Sequence, residues 1–262
     1  MLIICNGTFK SGSSWLHAIV IEILKVKSIS ISTIPTIYNL NLASPTRILE
    51  KNLIDFIKKE DLISKTYVTK SHYFNLETLS YKYSDSVFFL FIERELKDAI
   101  VSHYFHFKNY RLNKISFTIY FWLIGIFKAY EICMYNERSK NKFPQNNYFT
   151  FEGFKNHFSD NINKLTNLLG FNDLSDGELK QVKENTSLKN MKKQAILGKN
   201  KYYPELKKDS YKLFRSGKIG EWKYFFSKRQ LIFLENMLNG HTSLLIKFGY
   251  FVLFTLRRKI GL

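Results

Sequence analysis

At 262 residues the chain is long enough for one well-buried α/β domain and short for two. Hydrophobic residues make up 45% and aromatic residues 16%, which excludes a disordered chain and predicts a packed core. A net charge of +18 favours an anionic partner: a nucleotide, a sulfated or phosphorylated glycan, or an acidic membrane surface. Nucleic acid is not expected, because no reader motif with interleaved aromatics accompanies the charge.

The chain opens on MLIICN, a short β-rich run that leads directly into a glycine-containing loop. From Ser13 onward apolar residues fall at 15, 16, 19, 20, 23 and 24, which is helical spacing. In that strand–loop–helix setting Gly7 and Gly12 have the spacing of the phosphate loop G-x-x-x-x-G-K-[ST]. Ser14 fills the hydroxyl position, but Ser13 stands where that loop has its lysine, and Lys10 lies inside the loop.

KTYVTK (65–70) reads as a second strand and SVFFLFI (86–92) as a third, apolar on both faces like a buried strand of a parallel sheet. A helix is expected from Glu95 to about Lys108, and another over 116–136. NNYFTF (146–151) suggests a fourth strand, followed by an amphipathic segment for which Gly170 is a suitable helix end. The last third reads as mostly helical with a basic loop over 192–212. This alternation predicts a single α/β domain over 1–262, a doubly wound parallel sheet with helices on both faces, and a peripheral tail after about residue 250.

The apolar stretch 115–127 is shorter than the ~20 residues of a bilayer-spanning helix. The amino terminus lacks the basic flank and length of a signal peptide. A cytoplasmic protein is expected, soluble or peripheral to the inner face of a membrane. Cys5 and Cys133 have neither metal-ligand spacing nor a disulfide framework, which fits a reducing compartment.

In a nucleoside triphosphatase the loop lysine reaches the terminal phosphates, and an acid on a later strand holds Mg²⁺. Here the third strand ends in Glu93 beside the basic Arg94. Lys10 instead directs an ammonium at the group joined to the first phosphate, while the amides at the helix start cradle that phosphate. An atypical P-loop kinase is one alternative. A non-catalytic nucleotide-binding or membrane-surface protein is another.

KSGSSW (10–15) resembles the K-S-G-T-T-W loop of the cytosolic-type sulfotransferases, which bind 3′-phosphoadenosine 5′-phosphosulfate (PAPS). Four further segments agree in order. TKSHYF (69–74) is similar to the family's K-T-H-L-P, and ERELKDAIVSHYFHF (93–107) to R-N-P-K-D-x-x-x-S-x-Y-x-F. NTSLKNMKK (185–193) is similar to T-S-F-x-x-M, and FRSGKIGEWKYFF (214–226) to R-K-G-x-x-G-D-W-K-x-x-F.

The resemblance implies transfer of a sulfonate from PAPS to an acceptor hydroxyl, or second to an amine, without a metal. It implies Lys10 at the oxygen bridging phosphorus and sulfur, and Ser11, Gly12, Ser13 and Ser14 around the 5′-phosphate. Trp15 would stack on adenine, faced by the Thr186–Ser187–Leu188 segment and Met191. Arg94, Ser102, Arg215, Ser216 and Gly217 would hold the 3′-phosphate. His72 would be the general base, and Lys70 would steady the sulfonate. The acceptor would be a small molecule, a glycan or a lipid.

Several positions depart from the pattern. Leu188 replaces the usual phenylalanine, Phe151 a tyrosine and Ser216 a lysine, and Tyr73–Phe74 lacks the proline that follows the family's histidine. His103 and His106 are read as packing or surface residues, Trp222 as a core anchor, and Glu221 as a structural hydrogen-bond partner. No match to the family's dimer motif is readable, which leaves the oligomeric state open. Near the carboxyl end, an apolar run precedes Arg257, Arg258 and Lys259, a pattern that suits an anionic membrane surface or a last packed helix.

Overall fold

The computed structural model describes residues 1–39, 46–110, 114–197 and 214–260. Its strands are β1 (Leu2–Gly7), β2 (Tyr67–Ser71), β3 (Val87–Glu93) and β4 (Tyr148–Thr150). In chain order the helices begin with α1 (Ser13–Val26), α2 (Leu53–Lys59), α3 (Leu76–Ser80) and α4 (Leu96–Tyr110). Then come α5 (Phe117–Tyr120), α6 (Ile126–Lys140), α7 (Phe151–Asn156), α8 (Phe158–Leu168) and α9 (Asp176–Asn185). The last are α10 (Leu188–Ile196), α11 (Lys228–Leu238) and α12 (Leu244–Ile260). Two compact units divide the chain: Met1–Arg94 with Lys142–Gly217, and Glu95–Asn141 with Lys218–Leu262.

The first unit holds a four-stranded parallel sheet in the order β2-β1-β3-β4, flanked by helices. Every residue of β1 is buried, which is why its sequence reads as an unbroken apolar run until Asn6. Ile3 and Cys5 on β1 join Leu90 and Ile92 on β3 under Leu16, Ile19, Val20 and Ile23 of α1. Phe149, Phe154, Phe158 and Ile162 extend the same core. Each such side chain, fully buried, contributes about 1.5–3 kcal/mol of transfer free energy. The register pairs Asn6 with Ser71, Gly7 with Ile92 and Glu93 with Thr150. All strands therefore end at one edge, where crossover loops of parallel sheets collect functional groups.

The first three strands lie within two residues of the predicted runs. β4 is confined to three residues because Pro144 and a short 3₁₀ turn, Gln145–Asn147, occupy the approach to it. Gly170 does end a helix, at φ 75°. The basic loop expected over 192–212 is corrected at its start. Ser187 caps α10, and buried Met191 and Ala195 keep helical spacing through Ile196. From 198 to 212 that expectation lies outside the described residues.

In the second unit the helix expected over 116–136 runs from Phe117 to Lys140 as α5, a π turn (Phe121–Gly125) and α6. The helix continues through the polar residues that made the apolar stretch look short. By length and composition it is long and apolar enough to cross a membrane. Phe117 and Phe121 pack edge-on to Phe226, with ring centroids 4.9 and 5.5 Å apart.

Trp222 is half-buried, which corrects its reading as a core anchor. The Lys97 ammonium lies 4.2 Å from its ring centroid, and the anchoring is done through its backbone. Asp98, buried in the first turn of α4, accepts the N–H groups of Gly220 (2.6 Å) and Trp222 (3.0 Å). α12 meets α6 where Gly249 has no side chain, since a Cβ there would lie 2.8 Å from the Phe127 ring. Tyr130 and Tyr250 pack edge-on beside it. The outer face of α12 exposes Leu244 (81%), Leu245 (83%), Phe248 (68%) and Phe251 (65%).

Candidate active site

The loop that leaves β1 is built around positions that exclude a side chain. A Cβ on Gly7 would lie 2.6 Å from both the Ile92 carbonyl and the Ser11 hydroxyl. Gly12 has φ 106°, in the left-handed region that glycine adopts without strain. Lys10 is held in that region too, at φ 64°. The Ser11 hydroxyl (2.7 Å) and amide (3.3 Å) both donate to the Thr8 carbonyl and close the loop. α1 then begins at Ser13 with no side-chain cap from Gly12. Its first-turn amides, at Ser13 and Ser14, present the positive end of the helix to the loop.

Cations gather on this cradle. Burial lowers the Lys10 ammonium to a pKa of about 8, and the charges of Lys70, Arg94 and Arg215 press the same way. A site that disfavours its own lysine charge is matched to a polyanion, which would restore it. The Arg94 guanidinium lies over the Phe151 ring at 4.4 Å, and Phe151 meets Trp15 edge-on at 5.3 Å. Phe151 thus supplies an aromatic floor to the arginine where the resembled family has a tyrosine.

Trp15 and Leu188 pack against Ala18, Met191, Ala195 and Phe214. Met191 is buried beneath them, so Trp15 and half-exposed Leu188 present the surface. Gly217, at φ 57°, comes so close that a Cβ would meet Leu188 at 3.2 Å. The turn carrying Arg215 and Ser216 therefore abuts the Trp15–Leu188 shelf. Thr186 and Ser187 serve helix ends. The buried Thr186 hydroxyl donates to the Val182 carbonyl (2.8 Å), while Ser187 caps α10 and donates to Glu184 (2.8 Å). Ser102 is half-buried on α4, in the second unit.

His72 follows β2 directly. Its Nδ1 lies 2.5 Å from the Gly7 carbonyl. A carbonyl only accepts, so Nδ1 carries the proton and Nε2 is left with its lone pair. The pKa falls to about 3, chiefly through burial and then through Lys70, against the opposing Gly7 bond, with smaller pushes from Arg47 and Lys10. The ring is neutral across the physiological range.

Two groups essential to this placement escaped the sequence reading. Asn6, buried in β1, accepts from the Ser71 hydroxyl (3.1 Å) and the Tyr73 N–H (2.9 Å), gripping the chain on both sides of His72. A lone amide in an otherwise apolar strand was the available signal. Glu50 accepts the N–H groups of Phe74 (2.8 Å) and Asn75 (2.6 Å). These hydrogen bonds fix the turn that a proline ring would otherwise stiffen.

Elsewhere, the His103 Nδ1 meets the Tyr120 hydroxyl at 2.5 Å, with the His106 ring 6.3 Å from that of His103. Among the described residues no three His, Cys, Asp or Glu side chains are grouped to hold a metal. A cleft of about 530 Å³ lined by Tyr81, Tyr83, Phe89 and Phe143 lies toward the starts of β3 and β4, at the opposite end of the strands from His72.

A glycine loop, a group of cations and a tautomer-fixed histidine thus meet at the ends of the parallel strands. The chain matches the sulfotransferase domain over residues 2–244 and belongs to that family, whose enzymes use PAPS. Among solved structures it is similar to mouse sulfotransferase SULT7A1 complexed with PAP. The identity is 22% and the TM-score 0.64, over 90% of this chain and 81% of that one.

It is also similar to retinol dehydratase, solved with androsterone and the inactive cofactor PAP and again with retinol and PAP. Identities are 17% and 16%, with a TM-score of 0.63 in both, over 92% of this chain and 80% of each of those. At these identities the likeness is one of fold. No curated protein matches the chain. Family membership displaces the kinase alternative.

Proposed function

We propose that the protein moves a sulfonate from PAPS to an acceptor hydroxyl, with His72 as general base and Lys10 at the leaving oxygen. The observation that carries this reading is the bond between His72 Nδ1 and the Gly7 carbonyl. It ties the base to the first glycine of the phosphate loop and leaves Nε2 free of a proton. The residues fit the nucleotide: Gly7 and Gly12 let the loop pack tightly on Ile92, Ser11 and Phe151 where a Cβ would collide, and the charges of Lys70, Arg94 and Arg215 act on Lys10 within it.

Ser11 to Ser14 would hold the 5′-phosphate through amides and hydroxyls, and Trp15 with Leu188 would flank the adenine. Arg94, backed by Phe151, and the 215–217 turn would take the 3′-phosphate, with Ser102 as a further candidate. PAPS supplies the sulfonate and leaves as the adenosine bisphosphate. His72 Nε2 takes the hydroxyl proton, and the Lys10 ammonium stabilises charge growing on the departing oxygen. Lys70 would steady the transferring sulfonate.

The base is tested by His72→Ala. Turnover should fall by about 10²–10⁴-fold, while PAP affinity stays within about threefold of the parent, since the ring does not hold the nucleotide. Near-normal kcat in that variant would place the base elsewhere. Arg94→Ala should instead raise the KM for PAPS.

A second reading concerns location. The outer face of α12 presents Leu244, Leu245, Phe248 and Phe251 to solvent, and the sequence continues into Arg257, Arg258 and Lys259. That pairing of apolar face and basic end supports contact with an anionic bilayer surface. The acceptor would then include lipids or lipid-linked sugars.

A further inference from the structure

Arg47 is fixed beside the base yet stands apart from the cations assigned to the nucleotide. Residues 46–48 run along the outer edge of β2. The Thr46 carbonyl accepts the Lys70 N–H (3.3 Å), and the Ile48 N–H donates to the Thr69 hydroxyl (3.1 Å). The Tyr73 hydroxyl closes the other side by donating to the Ile48 carbonyl (2.9 Å). Arg47 is thus pinned between contacts to Thr69–Lys70 and to Tyr73, the residues that bracket His72, and it is half-buried there.

The charges that press on Lys10 are those of Lys70, Arg94 and Arg215, whereas those pressing on His72 are Lys70, Arg47 and Lys10. The bonds of Thr46 and Ile48 also set this segment on the free edge of β2, across that strand from β1 and the loop that follows it, which is the side of His72 away from the residues assigned to the nucleotide. Among the described residues it makes no ion pair with a carboxylate. Glu50, three residues on, spends its Oε1 on the Phe74 and Asn75 amides. The Arg47 charge opposes protonation of the base, a cost that an arriving anion would lift.

We propose that Arg47 recognises an anionic group on the acceptor, a carboxylate or a phosphate or sulfate ester close to the hydroxyl that receives the sulfonate. The proposal rests on His72 being the base. The planar guanidinium fork suits a bidentate grip on such oxoanions. Once paired, Arg47 no longer opposes the imidazolium that forms at His72, so an acidic acceptor gains in turnover as well as in binding.

The test uses the full chain loaded with PAP and titrated calorimetrically with matched acceptors: 4-hydroxybenzoate against 4-hydroxybenzamide, 4-hydroxyphenyl phosphate, and methyl glucuronoside against methyl glucoside. Turnover of the same compounds with PAPS is measured in parallel. The acidic member of at least one pair should bind about tenfold more tightly or better, and should show the higher kcat. The carboxylate and phosphate arms distinguish which oxoanion is preferred.

Arg47→Gln should erase the preference without changing PAP affinity, and Arg47→Lys should restore part of it. No preference for the acidic member in any pair, or the same preference in Arg47→Gln, overturns the proposal. Failure of PAP to bind, or normal turnover by His72→Ala, would instead count against the reading of the site itself.

Discussion

Lys10 combines two costs at one residue, a left-handed backbone and a charge pressed by three other cations. A non-glycine residue in that conformation stores about 1–3 kcal/mol, and such strain persists where it positions a functional group. The pH consequence has a definite sign. Its folded pKa of about 8 lies below the ordinary 10.5, so between those values the folded, nucleotide-free protein binds fewer protons than the unfolded chain. Stability of the free protein therefore rises with pH through that window, and Lys10 weighs against folding below it.

A bound polyanion reverses the balance by favouring the ammonium. Calorimetric titration with PAP at pH 8.5, in two buffers of different ionisation enthalpy, should reveal net proton uptake that vanishes at pH 6.5 and in Lys10→Met. Absence of uptake at pH 8.5 would mean that the ammonium does not meet the nucleotide.

At the scale of elements, Asp98 shows how much of a loop's position one buried carboxylate can decide. It accepts two backbone N–H groups from the Gly220–Trp222 turn. Removing it leaves both donors without their acceptor, at about 1–3 kcal/mol each. Asp98→Ala should lower the unfolding free energy by about 2–4 kcal/mol in urea titrations, and Asp98→Asn by less, because the amide oxygen still accepts. Equal stability of all three proteins would show that water replaces the carboxylate.

What the sequence made legible follows from the range of the contacts involved. The phosphate loop was readable because KSGSSW carries its geometry within six neighbouring residues. β1 and β3 were readable because burial of the strand leaves an apolar run. Asn6 and Arg47 were not, since their meaning lies in partners at Ser71, Tyr73 and Thr69–Lys70, distant in the chain and brought close only by the parallel register. Trp222 was misread because a large ring suggests a core, whereas its backbone makes the anchoring bonds. Phe117–Lys140 exceeded its predicted length because the helix continues past the apolar stretch through the polar residues Asn136–Lys140.

For the molecule as a whole, the charge of +18 and the exposed face of α12 bear on where the enzyme works. Truncation is a poor probe of that face, because Gly249 packs on Phe127 and its loss would uncover an aromatic surface. The combined variant Leu244→Ser, Phe248→Ser, Phe251→Ser keeps that contact. It should co-sediment with phosphatidylserine-rich vesicles about tenfold less than the parent while still turning over a soluble acceptor. The parent's binding should weaken with added salt and be slight on phosphatidylcholine alone. Undiminished sedimentation of the variant would remove α12 as the contact.

The π turn at Phe121–Gly125 also constrains how this fold tolerates insertions and deletions. Each residue of an α-helix advances its neighbours by roughly 100° about the axis, so one residue accommodated in a wider turn resets the angular phase of everything after it. In this chain that reset decides that Ala129, Ile132 and Tyr135 turn inward. A chain one residue shorter at that point would need its apolar positions displaced by one to bury the same face. A gap of a single residue inside an otherwise continuous helix thus marks a change of face, and leaves the length of the segment almost unaltered.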